Sequence, residues 1–218
     1  MSRLLGLYES TLGKKLVMAV TGIVLFLFVT GHMLGNLQIY IGAERLNHYA
    51  ELLQSNRAFL WAVRSVLLLC VGVHILAAVQ LWWRNWTSRP VRYRVFRPPS
   101  VDYAARTMVW SGPIIAAFVV YHLLHLTVGS ARGAFVSGVV YHNVVSAFQV
   151  PPVAIVYMLA NFLLGVHLYH GLWSLFQTLG LDQPLIAGLR RPAAVVLAAV
   201  IALGNISIPL SVLAGFVR

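Results

Sequence analysis

Residues 16–40 read LVMAVTGIVLFLFVTGHMLGNLQIY, with no charged side chain and one histidine, His32. A helix rises about 1.5 Å per residue, and about 20 apolar residues cross the roughly 30 Å hydrocarbon core of a bilayer. This stretch is therefore read as a membrane span. Four more apolar runs follow at roughly 58–83, 107–129, 151–178 and 193–217, separated by polar, Pro- or Gly-containing segments. The pattern predicts a single all-α membrane domain over residues 1–218, with five transmembrane helices.

Composition agrees. Of 218 residues, 60% are hydrophobic and 10% charged, against about 25% charged in an ordinary soluble domain. The net charge of +11 arises from 16 basic and only five acidic residues. The basic residues sit in short segments between apolar runs, which is a topology signal and not a nucleic-acid surface. Cys70 is the sole cysteine, so no internal disulfide and no CxxCH haem attachment is possible. Arg3, Lys14 and Lys15 precede the first run. That run is too long for a signal-peptide core and lacks a small-residue cleavage site, so it is expected to be a retained span.

Basic residues also orient the chain. Eleven lie in the N-terminal segment and in segments 84–106 and 179–192, while Arg45, Arg57, Arg132 and Arg218 mark the other side. The positive-inside rule then places the N-terminus in the cytoplasm and the C-terminus outside.

The spans repeat. Span 1 carries Thr21-Gly22 and then His32, and span 3 carries Ser111-Gly112 and then His122. Span 2 reads Val71-Gly72-Val73-His74, and span 4 reads Leu164-Gly165-Val166-His167. Matching spans run in the same direction, so spans 1–4 are expected to form a haem-binding bundle from a parallel two-helix repeat, about a two-fold axis along the membrane normal. Span 5 stands outside the repeat as a peripheral packing helix.

Six histidines lie in the apolar runs: His32, His74, His122, His125, His167 and His170. Ionisable side chains are costly in a span and usually functional, and a neutral imidazole is a good axial ligand for haem iron. At 1.5 Å per residue, His32 and His122 each lie roughly 25 Å from the inner face. His74 and His167 each lie roughly 15 Å from it. Two depth layers follow: an outer pair, His32 with His122, and an inner pair, His74 with His167. Both pairs join repeat-equivalent spans, as a two-fold axis requires. His125 and His170 are alternative ligands three residues away on nearly the same helix faces; the repeat favours His122 and His167.

Other residues fit the same reading. Gly22, Gly31, Gly35, Gly72, Gly112, Gly165 and Gly171 would let a flat macrocycle approach, although small residues also serve ordinary helix packing. Arg64, inside span 2, is a candidate propionate partner, or a side chain snorkelling to the outer interface. Trp82, Trp83 and Trp173 suit an interfacial belt. His48 and His142 fall in outer segments. The span cores hold no carboxylate, which argues against a carboxylate proton relay.

These motifs resemble the single-subunit, two-haem cytochrome b anchor of bacterial succinate dehydrogenases and fumarate reductases. The matching pieces are Gly31-His32-Met33-Leu34-Gly35-Asn36, Asn47-His48-Tyr49, Gly72-Val73-His74, Tyr121-His122-Leu123-Leu124-His125-Leu126-Thr127 and His167-Leu168-Tyr169-His170-Gly171-Leu172-Trp173-Ser174. The resemblance covers all five spans. It implies two b haems and an exchangeable quinone, commonly menaquinone. It also implies two partners, an FAD-containing flavoprotein and an iron–sulfur subunit, and a place in the bacterial cytoplasmic membrane. The chain would be non-catalytic alone and would pass electrons within the complex, which could assemble further into a higher oligomer. Some relatives carry a glutamate two residues before the span 4 ligand; here that position is Gly165. The competing expectations are a cytochrome b of a hydrogenase or formate dehydrogenase, and a haem-free transporter.

Overall fold

The computed structural model describes residues 8–88, 103–131, 135–180 and 184–218. Much of the charge asymmetry, including Arg3, Arg89, Arg92, Arg94, Arg97 and Arg132, lies outside the described residues, as does Asp182. The described chain is all-α. In order, the helices are α1 (Thr11–Asn36, continued by a 3-10 turn Leu37–Tyr40), α2 (Ala43–Ser55), α3 (Arg57–Thr87) and α4 (Tyr103–His122, continued by a π turn Leu123–Val128). They are followed by α5 (Val140–Phe148), α6 (Pro151–Thr178) and α7 (Pro184–Leu213). Five stretches are long and apolar enough to cross a membrane: Thr11–Tyr40, Arg57–Thr87, Arg106–Val128, Pro151–Thr178 and Gly188–Leu213. The protein is an all-α, multi-pass membrane protein.

Local chemistry sets where the helices start and stop. Ser10 Oγ accepts from Gly13 N at 2.9 Å and opens α1, and Asn56 Oδ1 accepts from Phe59 N at 3.0 Å and opens α3. Both side chains satisfy an amide that the first helical turn leaves unpaired. Pro151 and Pro152 begin α6, where a missing N–H costs nothing. The fifth span ends earlier than the apolar run suggests, at Leu213 and not near 217. Gly215, at φ 75°, turns the chain, and Phe216 N bonds back to Ser211 O at 2.9 Å. That left-handed turn closes the helix although Phe216 and Val217 are apolar.

Two connecting segments are themselves helical. α2 occupies most of 41–57, and α5 lies within 130–150. The two pack on each other at one end of the bundle, joined by a hydrogen bond from Tyr141 N to Asn47 Oδ1 at 2.9 Å. The buried core concentrates at this end, where Ile39, Leu46, Val145, Phe148, Ala154 and Tyr157 meet Ile208 and Val212 of α7.

Within the membrane the helices pack as hairpins. α1 packs along α3, α4 packs along α6, and a smaller α1–α6 contact ties the two hairpins. α7 lies outside this repeat and packs most extensively on α6, burying Ala194, Ala198, Ile201 and Ala202. Small side chains allow that approach in a membrane, where van der Waals contact replaces the hydrophobic drive. A Cβ on Gly165 would lie 2.8 Å from Ala202 Cβ, and neither atom can swing aside.

Gly165→Ala is therefore expected to force α6 from α7 and to cost about 1–3 kcal/mol. Thermal unfolding of the purified protein in detergent should show a lowered Tm, largely restored by adding Ala202→Gly. An unchanged Tm for Gly165→Ala would show that the two helices are not in close contact.

Candidate functional site: the membrane histidines

The outer pair comes from α1 and α4. The His32 and His122 rings meet edge to face, with centroids 5.8 Å apart and planes at 89°. Each ring leans on an aromatic one turn earlier on its own helix: Phe28 at 5.5 Å from His32, and Phe118 at 6.0 Å from His122. Phe28 and Phe118 are 90 residues apart, the same offset as His32 and His122. Helical spacing of i and i+4 stacks each aromatic beneath its histidine.

Span 2 and span 4 supply the inner pair, His74 on α3 and His167 on α6. His74 Nδ1 lies 3.0 Å from Thr21 Oγ1 of α1. His167 Nδ1 lies 3.4 Å from Ser111 Oγ of α4. The two hydroxyls are repeat-equivalent, as are the two imidazoles. Gly22, next to Thr21, sits under the ring: a Cβ there would be 3.6 Å from His74 Cε1.

The alternative ligands have different surroundings. His125 is buried at 3% exposure, stacks on Tyr121 at 5.2 Å and lies 3.0 Å from Tyr157 Oη through Nδ1. It stands in the π turn that follows His122. A π turn advances more residues per revolution than an α turn; the His122 and His125 rings both meet Tyr157, at 5.9 and 5.8 Å. His32 by contrast is exposed, while His74, His122 and His167 are half-buried. His170 meets Trp173 edge to face at 6.1 Å.

Arg64 lies two turns into α3 with its guanidinium 5.2 Å over the Trp61 ring. The glycines divide into two kinds. Gly35 and Gly165 are packing sites, where a Cβ would crowd the Tyr49 ring and Ala202. Gly31, Gly72, Gly112 and Gly171 face open space, with nothing within 4 Å of a Cβ. His48 lines an open polar pocket of about 560 Å³ with Glu44, Asn47, Glu51, Gln54 and Gly138, at the α2/α5 end. At the opposite end, Lys14 Nζ donates to Gln80 Oε1 at 2.8 Å and rides 4.1 Å over the Tyr8 ring.

An iron held between two histidines sets the distance between their rings. A metal–imidazole bond of about 2.0 Å on each side places two axial ring centres roughly 6 Å apart. The His32–His122 separation of 5.8 Å meets that requirement. α1 and α4 share no extensive backbone contact among the described residues, and neither do α3 and α6. The spacing of His32 and His122 is compatible with a haem iron between them.

Sequence reading used Thr21 and Ser111 as markers of the repeat and gave them no role; Phe28, Phe118 and Tyr157 it passed over. The 90-residue offset was the available signal for Phe28 and Phe118. Compared with known proteins, the chain matches no family model, no curated protein and no solved structure.

The His125–Tyr157 contact is buried, so Tyr157→Phe should leave a polar atom without its partner at a cost of about 1–3 kcal/mol. Thermal unfolding should register that loss. If His125 were instead an iron ligand, His125→Ala would remove a haem, as absorbance of the reduced protein would show.

Proposed function

We propose that the chain is the dihaem cytochrome b membrane anchor of a succinate:quinone oxidoreductase. The observation that carries this reading is the meeting of His32 and His122 from equivalent helices at 5.8 Å, within a repeat that also sets His74 and His167 alike. His32 and His122 would hold one b haem, and His74 and His167 the other. Haem iron supplies a one-electron relay between two stable oxidation states. The chain's own task is to fix the ligand rings, keep water from them and space the two groups across the membrane.

Other parts of the reading follow from the same placement. Arg64, a cation within a span, is the candidate counter-charge for a propionate; its place over Trp61 is equally what a snorkelling arginine adopts. Residues able to carry out succinate chemistry belong to partners: a flavoprotein with FAD and an iron–sulfur subunit docked on the cytoplasmic side. Membrane quinone, of the menaquinone type by resemblance, completes the electron path, so the chain is non-catalytic by itself. The basic residues favour a cytoplasmic N-terminus, and the resemblance favours a bacterial inner membrane.

The purified complex should contain about two b haems per chain by pyridine haemochrome assay. His122→Ala and His167→Ala should each lose a different haem, while His125→Ala and His170→Ala keep both. Retention of both haems in either of the first two variants would overturn the ligand assignment. A nickel or molybdenum subunit in place of the flavoprotein would move the chain to a hydrogenase or formate dehydrogenase. Full activity without haem would end the cytochrome reading.

A further inference from the structure

The hydroxyls of Thr21 and Ser111 form a second repeated feature, on helices that do not carry the histidines they touch. Thr21 Oγ1 lies 2.7 Å from Val17 O and 3.2 Å from Met18 O, both on its own helix. A threonine hydroxyl has one proton and donates it to such a carbonyl. Toward His74 Nδ1, 3.0 Å away, the oxygen can then act only as acceptor. With the hydroxyl proton on Val17 O, Nδ1 carries the ring proton and Nε2 keeps its lone pair. Ser111, itself 1% exposed, stands at the repeat-equivalent place, 3.4 Å from His167 Nδ1, with Met108 Sδ 4.0 Å from the same oxygen. Among the described residues no hydroxyl contact is found at the outer pair, where Phe28 and Phe118 support the rings.

We propose that Thr21 and Ser111 are positioning residues that hold His74 and His167 in the Nδ1-protonated tautomer, with Nε2 presented to a shared metal group. The inference rests on the dihaem reading and goes beyond its ligands. A hydrogen bond accepted from the remote ring N–H orients the ring and increases the basicity of the ligating nitrogen. It thereby favours the ferric state of the inner haem. The longer Ser111 contact makes its share the smaller one.

The test uses the intact complex carrying Thr21→Val, Thr21→Ser or Ser111→Ala, read by haem content, redox titration and low-spin electron paramagnetic resonance. Thr21→Val replaces the hydroxyl with a methyl group of similar size. It should raise the midpoint potential of one haem by about 59 mV, a tenfold change in its reduction equilibrium. The low-spin signal of that haem alone should shift, and Thr21→Ser should restore both properties. Ser111→Ala should move the same haem by less. Should Thr21→Val shed one haem, recovery of that haem in Thr21→Ser supports the proposal, and failure to recover it overturns the proposal. Two haems with unchanged potentials and signals in both Thr21→Val and Ser111→Ala would also overturn it, leaving the cytochrome reading intact. So would shifts on different haems, since His74 and His167 would not then share a site. A wild-type complex without b haem would defeat the underlying reading itself.

Discussion

A polar ring inside a bilayer must satisfy its N–H, because no water is there to do so. That constraint governs the arrangement of this bundle. Each inner imidazole meets a hydroxyl from the other helix of its hairpin: Thr21 of α1 for His74 of α3, and Ser111 of α4 for His167 of α6. The contact sets the rotation of one helix against its neighbour, since a turn of either would carry the hydroxyl out of range. Helices in a membrane have little hydrophobic drive to associate and rely on packing and such polar contacts. The histidine–hydroxyl contact is thus a chemical feature and also a registration device within each hairpin.

One hairpin therefore reads as a module. It holds one outer histidine with an aromatic beneath it, one inner histidine, and a hydroxyl against that inner ring. Two copies bring His32 against His122 and set each inner histidine against a hydroxyl of its own hairpin. This economy explains why the repeat extends to Phe28 and Phe118 and to Thr21 and Ser111, and is not confined to the histidines. α7 has no counterpart in the repeat; its alanines pack against α6 and place Gly165 against Ala202.

The five spans were legible because hydropathy over about 20 residues is a strong signal. So was the choice of six membrane histidines, and the pairing of His32 with His122 as spatial neighbours. α2 was hidden by Glu44, Arg45 and Glu51 in a segment that buries only Leu46, so its composition reads as a loop. α5 has nine residues, and flanking Gly138 and Pro151 dominate its neighbourhood. The π turn after His122 was illegible for a different reason. A spacing of three puts His122 and His125 on one face of an ideal α-helix, and the local winding departs from that ideal. The Thr21–His74 contact spans 53 residues, and no local pattern names the partner of a hydroxyl.

The weakest packing in the membrane lies between the two hairpins. The core residues gather at the α2/α5 end, α3 buries only Ala77, and Gly31, Gly72, Gly112 and Gly171 face open space. Yet the candidate ligand pairs bridge this boundary, from α1 to α4 and from α3 to α6. A group bound by both members of a pair would join helices that share little contact of their own. Its binding free energy would then add to the stability of the bundle, as for any ligand that binds only the folded state. In that arrangement, cofactor retention and hairpin association are one equilibrium. The hydroxyl contacts act within each hairpin and such metal bonds would act between hairpins, so the two kinds of interaction would divide the assembly of the bundle between them.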